Sequence, residues 1–305
     1  MRTEKGLSYN QSLVLLHVVI VIWGFTGILG KVISLPSEQL VWFRMLIGAI
    51  SIGLFAWYSG NISFPSRKQL VQFTLVGAVI ALHWLTFFGS IKASNVSIAL
   101  ACLSSGSLFT ALLEPLFFKR KILTYEILLG LMVIAALAII FKFETNYQLG
   151  IILSVTSAFL ASLFTTVNAK FAQNTDPVKM SFYEISCGWI ILSGWLLLNG
   201  IFSKEMFQLN WVDLSSLIAL GTICTGFAFL AGVVVMKKVS PFTVSLSLNL
   251  EPIYSIILAF LFFNEYKYLT PEFYVGAFVI LATVLINALV KARMKRKEAA
   301  INVLN

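Results

Sequence analysis

The sequence predicts an all-α integral membrane protein with ten transmembrane helices, arranged as two inverted five-helix repeats. Three observations lead there. Of its 305 residues 59% are hydrophobic and 11% charged, with a mean hydropathy of +0.91, whereas a soluble domain carries about 25% charged residues. The apolar residues fall in solid runs of about the 20 residues that a helix needs to cross a hydrocarbon core. The second half of the chain also echoes the first.

Along the chain, a polar start at 1–11 precedes a run over 12–33. That run is longer than a signal-peptide core and lacks a small-x-small cleavage pattern, so it reads as a retained first span. Further runs cover 38–58, 69–91, 96–118, 124–142, 148–169, 178–202, 211–236, 241–263 and 271–291. A strand barrel would show alternating segments of about ten residues instead. The loops are short, and a basic tail follows at 292–305.

The net charge of +9 does not point to nucleic acid, because the basic residues sit between apolar runs. With the N-terminus cytoplasmic, the inner segments hold Arg67, Lys68, Lys119, Arg120, Lys121, Lys237, Lys238 and the tail. The outer segments hold only Lys31, Lys92, Lys142, Lys204 and Lys267. The positive-inside rule then places both termini in the cytoplasm. Cys102, Cys187 and Cys224 lie within apolar runs, without metal-ligand spacing, and read as packing residues.

The repeat is visible as Leu123-Thr124-x-Glu126-x-x-x-Gly130 against Leu269-Thr270-x-Glu272-x-x-x-Gly276. Upstream, Phe43-Arg44 and Gly48 correspond to Tyr183-Glu184 and Gly188. The units are expected at 12–142 and 148–291. Five helices is an odd number, so the second unit enters the membrane from the other side. Inverted repeats of this kind are characteristic of secondary transporters, whose substrate site lies at the midplane between the units.

Trp23-Gly24-Phe25, Phe43-Arg44, Leu250-Glu251-Pro252 and Phe263-Asn264-Glu265, in that order, resemble the EamA-type family of the drug/metabolite transporter superfamily. The resemblance implies a bacterial inner-membrane carrier that exports amino acids or related metabolites, with neither a cofactor nor ATP. The lack of a G-x-x-x-x-G-K-[ST] loop agrees. The expected partners are a small-molecule substrate and the lipid bilayer, for a chain working as monomer or homodimer. Nucleotide sugars, drugs and vitamins remain alternative solutes. A channel is an alternative class, and so is a lipid-modifying enzyme; two histidines and no H-E-x-x-H motif weigh against the enzyme.

Ionisable residues inside spans carry function by default. Glu251 stands near the middle of the ninth run and is read as a proton acceptor or a counter-charge for a cationic substrate group. Asn249, Ser104 and Ser105 are placed around the substrate, with Trp23, His83, Trp84 and Tyr254 lining it. Arg44 and Glu184 are read near opposite mouths of the pathway, too far apart in depth to pair, and Pro252 as a hinge. Coupling to protons is left open between Glu251 and His83. Asn168 and Asn287 read as caps or bridges near cytoplasmic helix ends. No catalytic or metal-binding group is expected.

Overall fold

The computed structural model describes residues 8–60, 63–119, 124–172, 174–235, 238–239, 247 and 250–304, without the side chains of 284, 288, 291, 292 and 295–304. Its helices are α1 (Tyr9–Val32), α2 (Ser37–Tyr58), α3 (Arg67–Ala93), α4 (Val96–Leu103), α5 (Gly106–Phe118), α6 (Thr124–Phe143), α7 (Gln148–Phe171) and α8 (Pro177–Leu198). They continue with α9 (Trp211–Gly221), a π-helical turn at Thr222–Phe227, α10 (Ala228–Val235), α11 (Glu251–Phe263) and α12 (Pro271–Leu304). Among the described residues, eight helices, counting 96–118 and 211–235 as one each, are long and apolar enough to cross a membrane. Glu251–Phe263 and Pro271–Asn287 are shorter apolar helices.

Polar residues mark where the helices begin. Ser8 and Ser66 form capping boxes with Gln11 and Gln69, at the starts of α1 and α3. Asn95, Asp176 and Asn210 accept from the backbone of Ile98, Lys179 and Asp213 at the starts of α4, α8 and α9. Both α2 and α8 are 22 residues long, and each stops two residues before a glycine of positive φ, Gly60 at 68° and Gly200 at 65°. That backbone costs glycine nothing and other residues strain. It is also why the seventh span closes at Leu198, short of the expected 202.

Three further differences have local causes. The fourth run is broken by a turn at Ser104–Ser105, so it forms α4 and α5 rather than one helix. The eighth contains the π turn. The last helix carries through the basic segment as far as Leu304. Helices α5 and α11 are both 13 residues long, and each ends on a non-glycine residue in the left-handed region, Lys119 (φ 54°) and Asn264 (φ 53°).

Helix α3 packs along α7 and α8, and α2 along α8, α9 and the π turn. Helix α1 lies on α9, α10 and α11, α4 and α5 lie on α7, and α6 pairs with α12. Glycines let several helices cross closely, and α3 on α8 is the tightest backbone approach among the described residues. A Cβ on Gly77 of α3 would stand 2.3 Å from the Glu184 carbonyl oxygen, and one on Gly188 of α8 would stand 2.4 Å from the Gly77 carbonyl oxygen. The α2 crossing over α9 and the π turn is similar, with Gly48 against Thr225 and Gly221 against Ile47. Small residues permit such approaches where lipid offers no hydrophobic drive for association.

The burial pattern is that of a protein in lipid. Trp57, Tyr58, Leu116, Leu198, Leu261 and Phe278 face outward, whereas Ser90, Ser97, Ser105, Ser154, Ser157, Ser181, Glu184 and Thr225 are buried. Four carboxylates or amines tie loops at one end of the bundle. Glu265 accepts from Val96 N (3.0 Å), Ser97 N (2.8 Å) and Ser97 Oγ (2.6 Å), capping α4. Glu144 accepts from Thr270 N and Oγ1, both at 2.9 Å. Asp213 accepts from Ser34 N and Oγ, and Lys92 Nζ donates to the Ile33 carbonyl.

Candidate functional site

The chemistry-bearing side chains converge around Arg44, the eighth residue of α2 and only 3% exposed. Its Nε donates to Thr225 Oγ1 at 2.8 Å. The guanidinium lies over the Trp84 ring at 4.0 Å from the centroid and 5.4 Å from that of Phe88, within the range of cation–π attraction. Nη1 is buried and has no hydrogen-bond partner among the described residues. A guanidinium has five donors in a fixed fork, so part of this fork is left without an acceptor.

The π turn is what delivers Thr225 to it. Widening one turn changes which groups face the neighbouring helix. Here Thr225 Oγ1 donates to the Leu220 carbonyl at 2.9 Å and accepts from Arg44. The Cys224 carbonyl accepts from Trp23 Nε1 at 3.1 Å, joining α1 to the same turn. Gly48, Gly221 and Gly226 leave room for the contact.

Glu251 opens α11 and is half-buried, close enough to Arg44 for each to act on the other's charge. Pro252 sits in the first turn of α11, where its missing N–H costs nothing, so it starts this helix rather than interrupting one. Tyr254 packs its Cβ 3.3 Å from where one on Gly24 would stand, and Ser255 Oγ donates to the Gly24 carbonyl at 2.9 Å. Asn249 lies outside the described residues.

The remaining expected site residues are placed as follows. His83 Nδ1 is 3.0 Å from the Ser157 carbonyl and 2.8 Å from Ser157 Oγ, which anchors it to α7. Its ring is flanked by Phe87 and Phe164. Trp84 is buried as the platform for Arg44. Ser104 Oγ donates to the Leu100 carbonyl, while Ser105 Oγ is buried with no partner at the start of α5. Glu184 is the eighth residue of α8, as Arg44 is of α2, and is fully buried. Asn168 Nδ2 donates to its Oε2 at 2.9 Å, so Asn168 bridges α7 to α8. The structure thus brings Arg44, Trp84 and Thr225 together and leaves Glu184 in a separate polar pair. Neither Arg44 nor Glu184 extends to the surface. A separate narrow crevice with room for little more than a water, lined by Ser107, Glu126, Thr283 and Asn287, lies between α5, α6 and α12.

Thr225 and Ser157 were not singled out from the sequence. The signal for the first was present as Gly221-Thr222-Ile223-Cys224-Thr225-Gly226, a polar, glycine-flanked interruption of an apolar run. Ser157 carries no such mark, being one small residue among many.

The EamA-like transporter family model matches this chain twice, at residues 11–142 and 148–289. Among curated relatives, the uncharacterized transporter YxxF of Bacillus subtilis is 24% identical over 85% of this chain and 85% of its own. The uncharacterized transporter YdfC of the same organism is 26% identical over 79% of each chain. An uncharacterized transporter of Archaeoglobus fulgidus is 20% identical over 90% of this chain and 96% of its own. One crystal structure superposes with a TM-score of 0.64 at 15% identity, covering 93% of this chain and 99% of that one, a likeness of fold.

Proposed function

Since the chain belongs to the EamA-like transporter family, we propose that it is a secondary carrier that exports amino acids or related small metabolites across the inner membrane by alternating access. The carrier has ten transmembrane helices in two inverted five-helix units, with both termini cytoplasmic. The observation that carries this reading is Arg44: a buried cation with a donor left over among the described residues, in electrostatic range of the carboxylate that opens α11. A substrate with a carboxylate fits the free edge of the guanidinium, and an ammonium group fits Glu251. Trp84 and Trp23 supply apolar walls beside them.

What supports the inverted pair of units is that the same devices recur in each. The family model matches both. Helices α2 and α8 match in length and end in the same glycine turn, and α5 and α11 match in length and end in the same left-handed residue. The glycine crossing of α3 on α8 has its counterpart in the crossing of α2 on α9. In such carriers the broken helices of each unit present half-helix ends at the midplane. Gly106 begins the second half of the broken span 96–118 here.

The test is counterflow in reconstituted vesicles, with a mixture of labelled proteinogenic amino acids as probe. Wild type is expected to show saturable exchange. Arg44→Lys removes the fork and the stacked plane while keeping the charge, and is expected to weaken exchange at least tenfold. If exchange is absent in the wild type, or if Arg44→Lys exchanges at the same rate, the substrate assignment is wrong. Linear, unsaturable flux would mark a channel instead.

A further inference from the structure

We propose that Glu184 and Asn168 form a proton-binding site, separate from the Arg44 cluster, through which the carrier takes up and releases H⁺. This rests on the carrier reading above. Both side chains are buried, Asn168 at 2% exposure and Glu184 at 0%. Asn168 Nδ2 donates to Glu184 Oε2 at 2.9 Å, and the other two oxygens of the pair, Glu184 Oε1 and Asn168 Oδ1, are both buried without a hydrogen-bond partner among the described residues.

The hydrogen-bond inventory decides what is missing. An ionised carboxylate only accepts, and the amide has a carbonyl that only accepts. The two unpartnered oxygens of the pair are therefore both acceptors, with no hydrogen to share between them, in an interior where each orphan is costly and an unpaired charge more so. One proton supplies both needs. With H⁺ bonded to Oε1, the carboxyl gains an O–H that donates to Asn168 Oδ1, while Nδ2 continues to donate to Oε2. The product is a two-bond acid–amide ring with no net charge. The step is the reversible association of one proton from water with the carboxylate, with no other bond made or broken.

Other charges do not serve Glu184. On the helices packed around it, Arg44 is held by Thr225 and Trp84, and His83 by Ser157. Lys170 donates to the Phe117 carbonyl and Lys179 to the Phe64 carbonyl. Tyr183 stacks on Phe73, and Cys187 is a free thiol. Glu38, Arg67, Lys68 and Lys92 stand in the end turns of α2 and α3, and α10 carries no titratable residue. An alkali cation in place of the proton needs a full shell of oxygens to replace its water. Among the described residues, the further orphan oxygen on this face is Ser181 Oγ, one turn before Glu184.

The site is placed to couple proton occupancy to movement. The α3 backbone crosses α8 at Glu184 itself, Gly77 meeting the Glu184 carbonyl and Gly188. At that crossing the backbones of α3 and α8 meet directly, with the Met45 side chain beside Gly188. A neutral pair can stay sealed beneath it. A carboxylate needs water or a new donor, and this favours opening the helices on that side.

The probe is the proton itself. Infrared difference spectra of the protein in phosphatidylethanolamine and phosphatidylglycerol vesicles, taken across a pH step, report protonated carboxyl groups directly. The expected result is a protonated-carboxyl band that is lost in Glu184→Gln and kept in Glu251→Gln. In Asn168→Val the band shifts to higher frequency, because its acceptor is gone; this variant also decides the matter if Glu184→Gln does not fold. A spectrum unchanged by Glu184→Gln, a band unmoved by Asn168→Val, or the same change produced by Na⁺ at fixed pH would each overturn the proposal. In counterflow with the amino-acid mixture, Glu184→Gln is expected to retain exchange and lose accumulation driven by a pH gradient; retained accumulation also overturns it. Failure of wild-type exchange would sink the substrate reading and leave the spectra to decide the proton site.

Discussion

Replacing Gly188 by alanine tests whether α3 and α8 meet backbone to backbone. The added methyl would stand 2.4 Å from the Gly77 carbonyl oxygen and 2.6 Å from Met45 Cε. Close carbon–oxygen contacts between helices sit at about 3.3–3.6 Å, so the helices must part by about 1 Å. A gap of that size forfeits a quarter to a half of each facing dispersion contact, and overpacking a well-packed interior costs about 1–3 kcal/mol. Gly194 provides the control on the same helix, since a Cβ there meets nothing within 4 Å. The intrinsic preference of a helix for alanine, about 0.5–1 kcal/mol, acts equally at both positions and cancels between the two variants. Unfolding in detergent micelles, followed by circular dichroism, should then place Gly188→Ala below Gly194→Ala by about 1–3 kcal/mol. Equal stabilities would refute the close approach.

The remaining predictions concern the site, the loop ties and the orientation. Thr225→Val leaves the Arg44 Nε without its acceptor, at a cost of about 1.5–3 kcal/mol in the same unfolding assay; Thr225→Ser, which keeps the hydroxyl, should lose much less. Glu265→Ala strips the cap from Val96 and Ser97 and should cost about 1–2 kcal/mol, with faster amide exchange confined to the start of α4. In a cysteine-free background, a cysteine at Ser203 should react with impermeant maleimide added to intact cells. One at Ser8 should react only after lysis; the opposite pattern would reverse the proposed orientation.

Much of the fold was legible along the chain because hydropathy is a local property that adds up over twenty residues. The first eight apolar runs matched helical stretches to within a few residues; most of the first half of the ninth lies outside the described residues, and the last helix continues to Leu304. The breaks were harder to read. Ser104-Ser105-Gly106 and the Gly221–Gly226 stretch were visible as small and polar residues, but small residues serve close packing as readily as they interrupt a helix. Only the neighbours distinguish the two.

The sequence by itself determined the membrane class, the helical content and which few ionisable residues the bilayer interior would have to hold. Tertiary structure alone decided their partners: Arg44 with Thr225 and Trp84, and Glu184 with Asn168. The reason is that a bilayer taxes every residue in a span by its own polarity, whereas a hydrogen bond depends on the distance and direction between atoms of different helices. Arg44 and Thr225 are 181 residues apart, and no pattern along the chain fixes a geometry that the packing of α2 against the π turn creates.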